Sequence, residues 1–125
     1  MGGGEALRLG TVMLGVREMD RSVAFYRDRL GLAVQFGSAE FSFLSAGGVA
    51  LVLRAAAGLE PAGDARWSEL VFHVEDIDAA YRQLRERGIE FRVEPRVVTG
   101  EQLAADFRDP DGHVLSILGV RRGGR

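Results

Sequence analysis

The chain contains few of the side chains that bind metals or act as nucleophiles: it has two histidines and no cysteine. Glu69 and His73 fall on the same face of a predicted strand, four residues apart, which separates them by about 13 Å. His113 has the opposite parity to Ser116 and is expected on the other face of the last strand, unless the preceding turn rotates it. A site with two histidines and one carboxylate, as in non-haem iron proteins, is therefore not expected. Both histidines are interpreted as partly exposed residues at strand ends.

Glu69 is the acidic residue of most chemical interest, and two interpretations of it stay open. It is either a strand-end glutamate in water or paired with Arg54 or Arg66, or a hydrogen-bond acceptor or weak base in a partly apolar cleft. Ser116 has no base beside it in the pattern and is not expected to be a nucleophile. No catalytic residue is assigned.

These residues lie within an internal duplication, which constrains the architecture more than any single residue does. Three matching pairs are 58 residues apart, and a fourth is 57 apart: Val16 and Val74, Asp20 and Asp78, Arg27 and Arg85, then Gly31 and Gly88. The spacing therefore slips by one residue at the end of the helix that each half is expected to contain.

Each half shows the pattern of a strand, a helix and three further strands. Alternation and turn residues predict strands near 9–16, 33–36, 41–44, 49–54, 67–74, 89–93, 103–107 and 113–118. Asp20 and Asp78 are predicted to cap the two helices, and the segment 109–112 predicts a tight turn before the last strand. We expect one α+β domain over 1–125, with a βαβββ module at about 8–54, a linker at about 55–66 and a second module at about 67–119.

Composition excludes several classes of function. A net charge of -2 gives no reason to expect nucleic acid or an anionic membrane as partner. The absence of cysteine excludes disulfides, thiolate metal sites and a cysteine nucleophile. No apolar run approaches the roughly 20 residues that span a bilayer, so a cytoplasmic protein is expected.

Specific motifs resemble those of the vicinal oxygen chelate superfamily, which includes glyoxalase I, bleomycin-resistance proteins and extradiol dioxygenases. They occur in the same order along nearly the whole chain, at Val12–Val16, Asp20–Tyr26, Leu30–Leu32, Phe72–Tyr81 and Phe107–Gly112. The resemblance implies that the modules form a curved mixed sheet with an open concave cleft and helices on its convex face. It also implies a homodimer, in which the two modules either pair within a chain or exchange between chains.

The resemblance further implies a metal site at four strand positions, which correspond here to Thr11, Val52, Glu69 and Ser116, with Val52 uncertain by a residue or two. Only Glu69 is a good ligand for a divalent ion. One carboxylate, two hydroxyls and a valine would hold such an ion weakly, because N, O or S donors must replace most of its hydration shell. We therefore expect no bound metal and no other cofactor.

The expected ligand cleft has apolar walls and few polar groups. The residues expected to line it are Thr11, Met13, Val52, Arg54, Trp67, Glu69, Val71 and Ser116. Trp67 either anchors the linker or stacks on a planar ligand, and the face occupied by Phe41 and Phe43 is left open. This pattern favours a metal-free protein that sequesters a drug or metabolite, as in antibiotic resistance. The alternative is a divergent metal-dependent lyase or dioxygenase that uses a divalent ion.

Overall fold

The computed structural model of the chain describes residues 6–56 and 68–122. The chain divides into two compact units, Met1–Leu59 and Glu60–Arg125, and this boundary falls inside the segment predicted to be the linker. Within the described residues, no helix is long and apolar enough to cross a membrane.

The first module is built from four strands and one helix. β1 spans Thr11–Val16, α1 spans Met19–Ala24 and continues into a π-helical turn at Phe25–Arg29, and β2, β3 and β4 span Ala33–Gly37, Phe41–Ser45 and Ala50–Ala55. The sheet order is β1-β4-β3-β2, in which β1 and β4 are parallel and the other pairs are antiparallel.

The second module repeats this topology. β5 spans Leu70–His73, α2 spans Ile77–Glu86, and β6, β7 and β8 span Phe91–Thr99, Gln102–Arg108 and Val114–Gly119. The sheet order β5-β8-β7-β6 again has one parallel pair, β5 with β8. The α+β class and the tandem βαβββ modules predicted from the sequence are confirmed.

The core of each module lies between its helix and one face of its sheet. In the first module Tyr26 is fully buried, as are Leu44 and Leu53 on the strands that α1 packs against. In the second module the Tyr81 ring of α2 lies 4.7 Å from the Phe91 ring, centroid to centroid. These contacts identify the helix-bearing face of each sheet, and we call the opposite face the open face.

The two helices begin at equivalent positions, but the predicted caps are wrong. α2 is capped by Asp76, whose carboxylate accepts a hydrogen bond from the backbone N–H of Asp78 at 3.2 Å. Asp78 lies inside the first helical turn, as Asp20 does in α1, so neither precedes its helix. A capping carboxylate must come from the residue before the helix in order to reach its unpaired N–H groups. Gly31 and Gly88 follow the helices at positive φ, as expected.

The one-residue slip in the duplication corresponds to the π-helical turn of the first module. The N–H of Leu32 donates to the Tyr26 carbonyl six residues back, whereas the equivalent N–H of Ile89 donates to the Leu84 carbonyl five residues back. One extra residue therefore lies inside this helix end. A π-helical turn accommodates it without moving the residues on either side.

Most strand ends lie within two residues of the predictions, but β5 begins at Leu70 rather than near residue 67, and the largest difference is at β6. This strand was predicted at 89–93 and extends to Thr99, through Pro95. β6 is an edge strand of its sheet, where a residue without an N–H is tolerated because no neighbouring strand needs that donor. The predicted turn at 109–112 is present: the Asp109 carboxylate accepts from the N–H groups of Asp111 and His113 at 2.9 and 2.8 Å.

Candidate functional site

The open face of the first module is apolar and partly exposed. Residues opposite one another on neighbouring strands share a face, and the register places Met13 of β1 beside Val52 of β4, and Val52 beside Phe43 of β3. Phe43 in turn lies beside Phe36 of β2. The groove beside α1 is lined by Val23 of the helix and by Val34 and Ser42 of the sheet. These two sheet residues have the opposite orientation to the row, so the row faces away from the helix.

Three phenylalanine rings form an aromatic row on this open face. The ring centroids of Phe36 and Phe43 are 5.9 Å apart at an interplanar angle of 63°, and those of Phe41 and Phe43 are 6.5 Å apart at 45°. Phe36 is 59% exposed, Phe43 is 37% exposed and Met13 is 50% exposed. The faces of Phe41 and Phe43, which the sequence left open, are thereby assigned: both lie with Met13, away from α1.

The other predicted cleft residues of the first module lie on the same open face. Thr11 is exposed and pairs with Ala50, and Arg54 is exposed at the far end of β4. Val52 lies at the centre of the face and is fully buried, so it supports the exposed side chains around it.

The open face of the second module carries the remaining predicted residues. Val71 of β5 lies beside Ser116 of β8, and Val71 is 47% exposed whereas Ser116 is buried. Glu69 directly precedes β5 and is exposed. Trp67 lies outside the described residues. His73 ends β5 on the same face as Val71 and is exposed, in agreement with its interpretation as a strand-end residue.

The strand register relates two of the four positions at which the sequence resemblance implies a metal site, Val52 and Ser116. Met13 pairs with Val52 as Val71 pairs with Ser116, so Val52 and Ser116 are equivalent and no shift along β4 is needed. Valine supplies no ligand atom, and serine is a weak one. Among the described residues, no group of three His, Cys, Asp or Glu side chains could hold a metal ion. The donor set at these positions does not fit a divalent ion.

Comparison with known proteins decides the family. The sequence model of the glyoxalase/bleomycin resistance protein/dioxygenase superfamily matches residues 8–117. The chain belongs to this superfamily. The resemblance seen in the sequence motifs is thereby confirmed.

Relatives of this chain are similar to it over most of their length. The uncharacterized protein YraH of Bacillus subtilis is 29% identical over 125 residues, which cover 89% of this chain and 97% of YraH. The crystal structure of SMU.1112c is 25% identical with a TM-score of 0.81 and covers 91% of this chain and 99% of its own. A superfamily member from Nocardioides, 24% identical with a TM-score of 0.80, covers 98% of this chain and 89% of its own and is similar in fold.

The sequence reasoning missed Asp106, a buried carboxylate on the open face of the second module. Asp106 of β7 pairs with Ser116 of β8 and is 3% exposed. Its Oδ1 lies 3.8 Å from Nη1 of Arg96 on β6. One signal in the sequence could have identified it: Asp106 lies within a predicted strand between Ala105 and Phe107, so strand alternation places it on the face opposite to theirs. A carboxylate is a weak base for a serine hydroxyl, so this pairing does not make Ser116 a nucleophile.

A separate groove of about 800 Å³ lies on the helix side of the first module. Its walls include Met19, Val23 and Arg27 of the helix and Val34 of β2. Arg27 donates a hydrogen bond to Asp28 at 2.7 Å, and this bond lowers the pKa of the Asp28 carboxyl. Both side chains are half-exposed, so this pair belongs to the helix surface and contributes little to stability.

Proposed function

We propose that this member of the superfamily binds a small, planar organic molecule without a metal ion and sequesters it by mass action. The observation that carries the proposal is the aromatic row of the first module, Phe36, Phe43 and Phe41, in which Phe36 and Phe43 are exposed and Met13 lies beside them. The unsuitable donor set at the four superfamily metal positions supports it.

The aromatic row has the properties of a stacking surface for a ligand. Its interplanar angles of 63° and 45° leave the rings tilted against one another, and Phe36 and Phe43 expose part of their surface to a planar molecule. Large apolar side chains exposed together are costly in water, and covering them with a ligand recovers about 25 cal/mol for each Å² removed from water. The affinity gained in this way needs no reacting group. A drug or metabolite held on this face is kept from its target in proportion to the protein concentration.

A titration with naphthylmethanol, a neutral planar molecule, tests the proposal directly. We expect isothermal titration calorimetry to show binding to the wild type. Changing Phe43→Ala and Phe36→Ala together should weaken that binding at least tenfold, because the stacking surface is removed.

Val34→Ala is the matched control for this titration. Val34 lies on the same edge strand as Phe36 and is 38% exposed, but it faces the groove on the helix side. Its truncation should leave the affinity for naphthylmethanol unchanged. No binding to the wild type, or equal weakening by Val34→Ala, would contradict the proposal.

A further inference from the structure

The groove beside α1 has apolar walls and one acidic end. Its volume of about 800 Å³ is that of a small-molecule site, and its apolar walls include Met19 and Val23 of the helix and Val34 of β2. Glu18 and Asp20, both exposed, line it where the helix begins, and we call these two residues the acidic end. All of these residues belong to the first module, so the groove is complete within one unit.

A buried hydroxyl group adds a hydrogen-bonding position to the groove. Ser42 of β3 lines the groove and is 3% exposed, and its side chain forms no hydrogen bond with another described residue. Gly37 lies opposite Ser42 on β2, and a Cβ atom there would lie 3.5 Å from Ser42 Oγ. Because Gly37 has no side chain, the hydroxyl stays accessible from the groove. Buried hydroxyls are usually hydrogen-bonded, so Ser42 favours a bound molecule that carries a polar group.

The duplication shows why the groove exists in only one of the two equivalent places. The 58-residue offset makes Tyr81 of α2 equivalent to Val23, and the 57-residue offset makes Phe91 of β6 equivalent to Val34. The rings of Tyr81 and Phe91 are in contact, with centroids 4.7 Å apart, and fill the space between helix and edge strand. The two valines are smaller and leave that space open in the first module.

The same comparison indicates the charge of a suitable ligand. Asp78, the equivalent of Asp20, accepts hydrogen bonds from the guanidinium group of Arg121 at 2.5 and 3.2 Å. Asp20 forms no ion pair with any residue that the structure describes. The aspartate at this helix position therefore binds a cation from the chain itself in the second module, and is available to a cation from outside in the first.

The positive charge of Arg27 does not cancel this preference. Arg27 also lines the groove, but it donates two hydrogen bonds to Asp28, at 2.7 and 3.0 Å. It lies seven residues after Asp20, which is about 10 Å along the helix axis. Glu18 has only a long contact of 4.0 Å with Arg21. The acidic end thus keeps its negative charge.

We propose that this groove is a second binding site, which takes a small organic cation with an apolar body. Asp20 binds the cationic group, Met19, Val23 and Val34 contact the apolar body, and Ser42 forms a hydrogen bond to it where it carries a polar group. The site lies on the helix side of the sheet and does not depend on the ligand proposed for the open face.

The test compares three cyclohexyl compounds that differ mainly in charge: cyclohexylmethylammonium, neutral cyclohexylmethanol and cyclohexanecarboxylate. Amide NMR titration of the full chain measures weak affinity and locates the site in one experiment. We expect the cation to shift the amide signals of Val23, Val34, Gly37 and Ser42. It should bind about threefold to fivefold more tightly than the alcohol, because the carboxylates that attract it are exposed, and the anion should bind least tightly.

Two variants and a matched control assign the roles. Asp20→Asn should lower the affinity for the cation to about that of the alcohol. Asp78→Asn removes the equivalent charge from the second module and should keep the wild-type preference. Val23→Tyr introduces the residue type found at the equivalent position 81, and it should weaken the cation and the alcohol at least fivefold each, because the ring occupies the groove.

Several outcomes would overturn this inference. Amide shifts confined to the open face, around Met13 and Phe43, would mean that the groove is not the site. An affinity for the cation no higher than for the alcohol, or an unchanged preference in Asp20→Asn, would refute the role of Asp20. Tightest binding of the anion would assign the site to Arg27 instead and contradict the proposed ligand class. None of these results bears on the binding of naphthylmethanol to the aromatic row, so the two proposals fail separately.

Discussion

At the scale of single residues, the two carboxylates on the second module have different environments. Glu69 was singled out from its position before a strand and is exposed, where a charge interacts weakly with any partner. Asp106 is buried on the open face near Arg96, where burial makes its charge more sensitive to its surroundings. The polar character of this face therefore depends more on Asp106 and Arg96 than on Glu69.

A second residue-scale feature is the close approach of Gly119 to the strand beside it. A Cβ atom at Gly119 would press on the Val74 carbonyl oxygen and lie 2.9 Å from Val74 Cγ2. We expect Gly119→Ala to lower the free energy of unfolding by about 1–3 kcal/mol in urea denaturation, because backbone must move. At Gly37 the added Cβ would lie 3.5 Å from Ser42 Oγ, an ordinary contact. Gly37→Ala should change stability by less than about 0.5 kcal/mol, and equal effects would contradict this account.

At the scale of elements, the two helices differ where the duplicated sequences lose their constant spacing. α2 ends as a regular α-helix before Gly88, whereas the first helix passes through a π-helical turn at Phe25–Arg29. The residues that follow, Leu32 and Ile89, nevertheless make equivalent hydrogen bonds back into their helices. The extra residue is thus absorbed locally, and the sheets that follow keep the same topology.

Deleting the extra residue tests this explanation. Removal of Arg29, which is exposed, should convert the π-helical turn into a regular helical turn and change the free energy of unfolding by less than about 1 kcal/mol. Removal of Arg85 from α2, which has no extra residue, should cost about 2–5 kcal/mol because it pulls the buried Ile89 out of place. Urea denaturation of both variants provides the measurement. A greater loss for the Arg29 deletion would mean that the π-helical turn itself stabilises the module.

At the scale of the whole molecule, the two modules share one topology but differ in the chemistry of their open faces. Phe43 of the first module and Asp106 of the second occupy equivalent positions, since each is paired with the equivalent residues Val52 and Ser116. The first face is aromatic, and the second carries a carboxylate and a guanidinium group. The duplication has therefore kept its backbone pattern while its faces diverged into an apolar surface and a charged one.

The donor set spread over the two modules predicts how the protein responds to metal ions. We expect elemental analysis of the purified protein to show no stoichiometric Zn, Ni, Fe or Mn at Thr11, Val52, Glu69 and Ser116. A chelator should leave Tm unchanged, because an ion bound only by the folded state would raise Tm and its removal would lower it. When Zn or Ni is added, the Tm of the Glu69→Gln variant should change no more and no less than the Tm of the wild type. About one tightly held ion per chain would contradict this prediction and favour the metal-dependent alternative.

The sequence by itself determined the duplication, the order of elements and the superfamily. These follow from local signals: alternating apolar residues, turn residues such as those at 109–112, and glycines after the helices. Even the π-helical turn left a signal, as the slip between Gly31 and Gly88. The predicted helix caps were wrong because acidic residues lie on both sides of each helix start, and only the backbone conformation decides where the helix begins.

Only the tertiary structure decided which side chains meet. A shift of one residue in strand register moves every side chain to the other face, and register depends on pairing between segments distant in sequence. The pairing of β3 with β4 placed Phe41 and Phe43 on the open face, a choice that alternation alone left undecided. The bulges of β6 brought Arg96 near Asp106, and no composition or spacing in that strand encodes where a bulge falls. The elements are thus local properties of the sequence, whereas the chemistry of the two open faces results from non-local pairing of the strands.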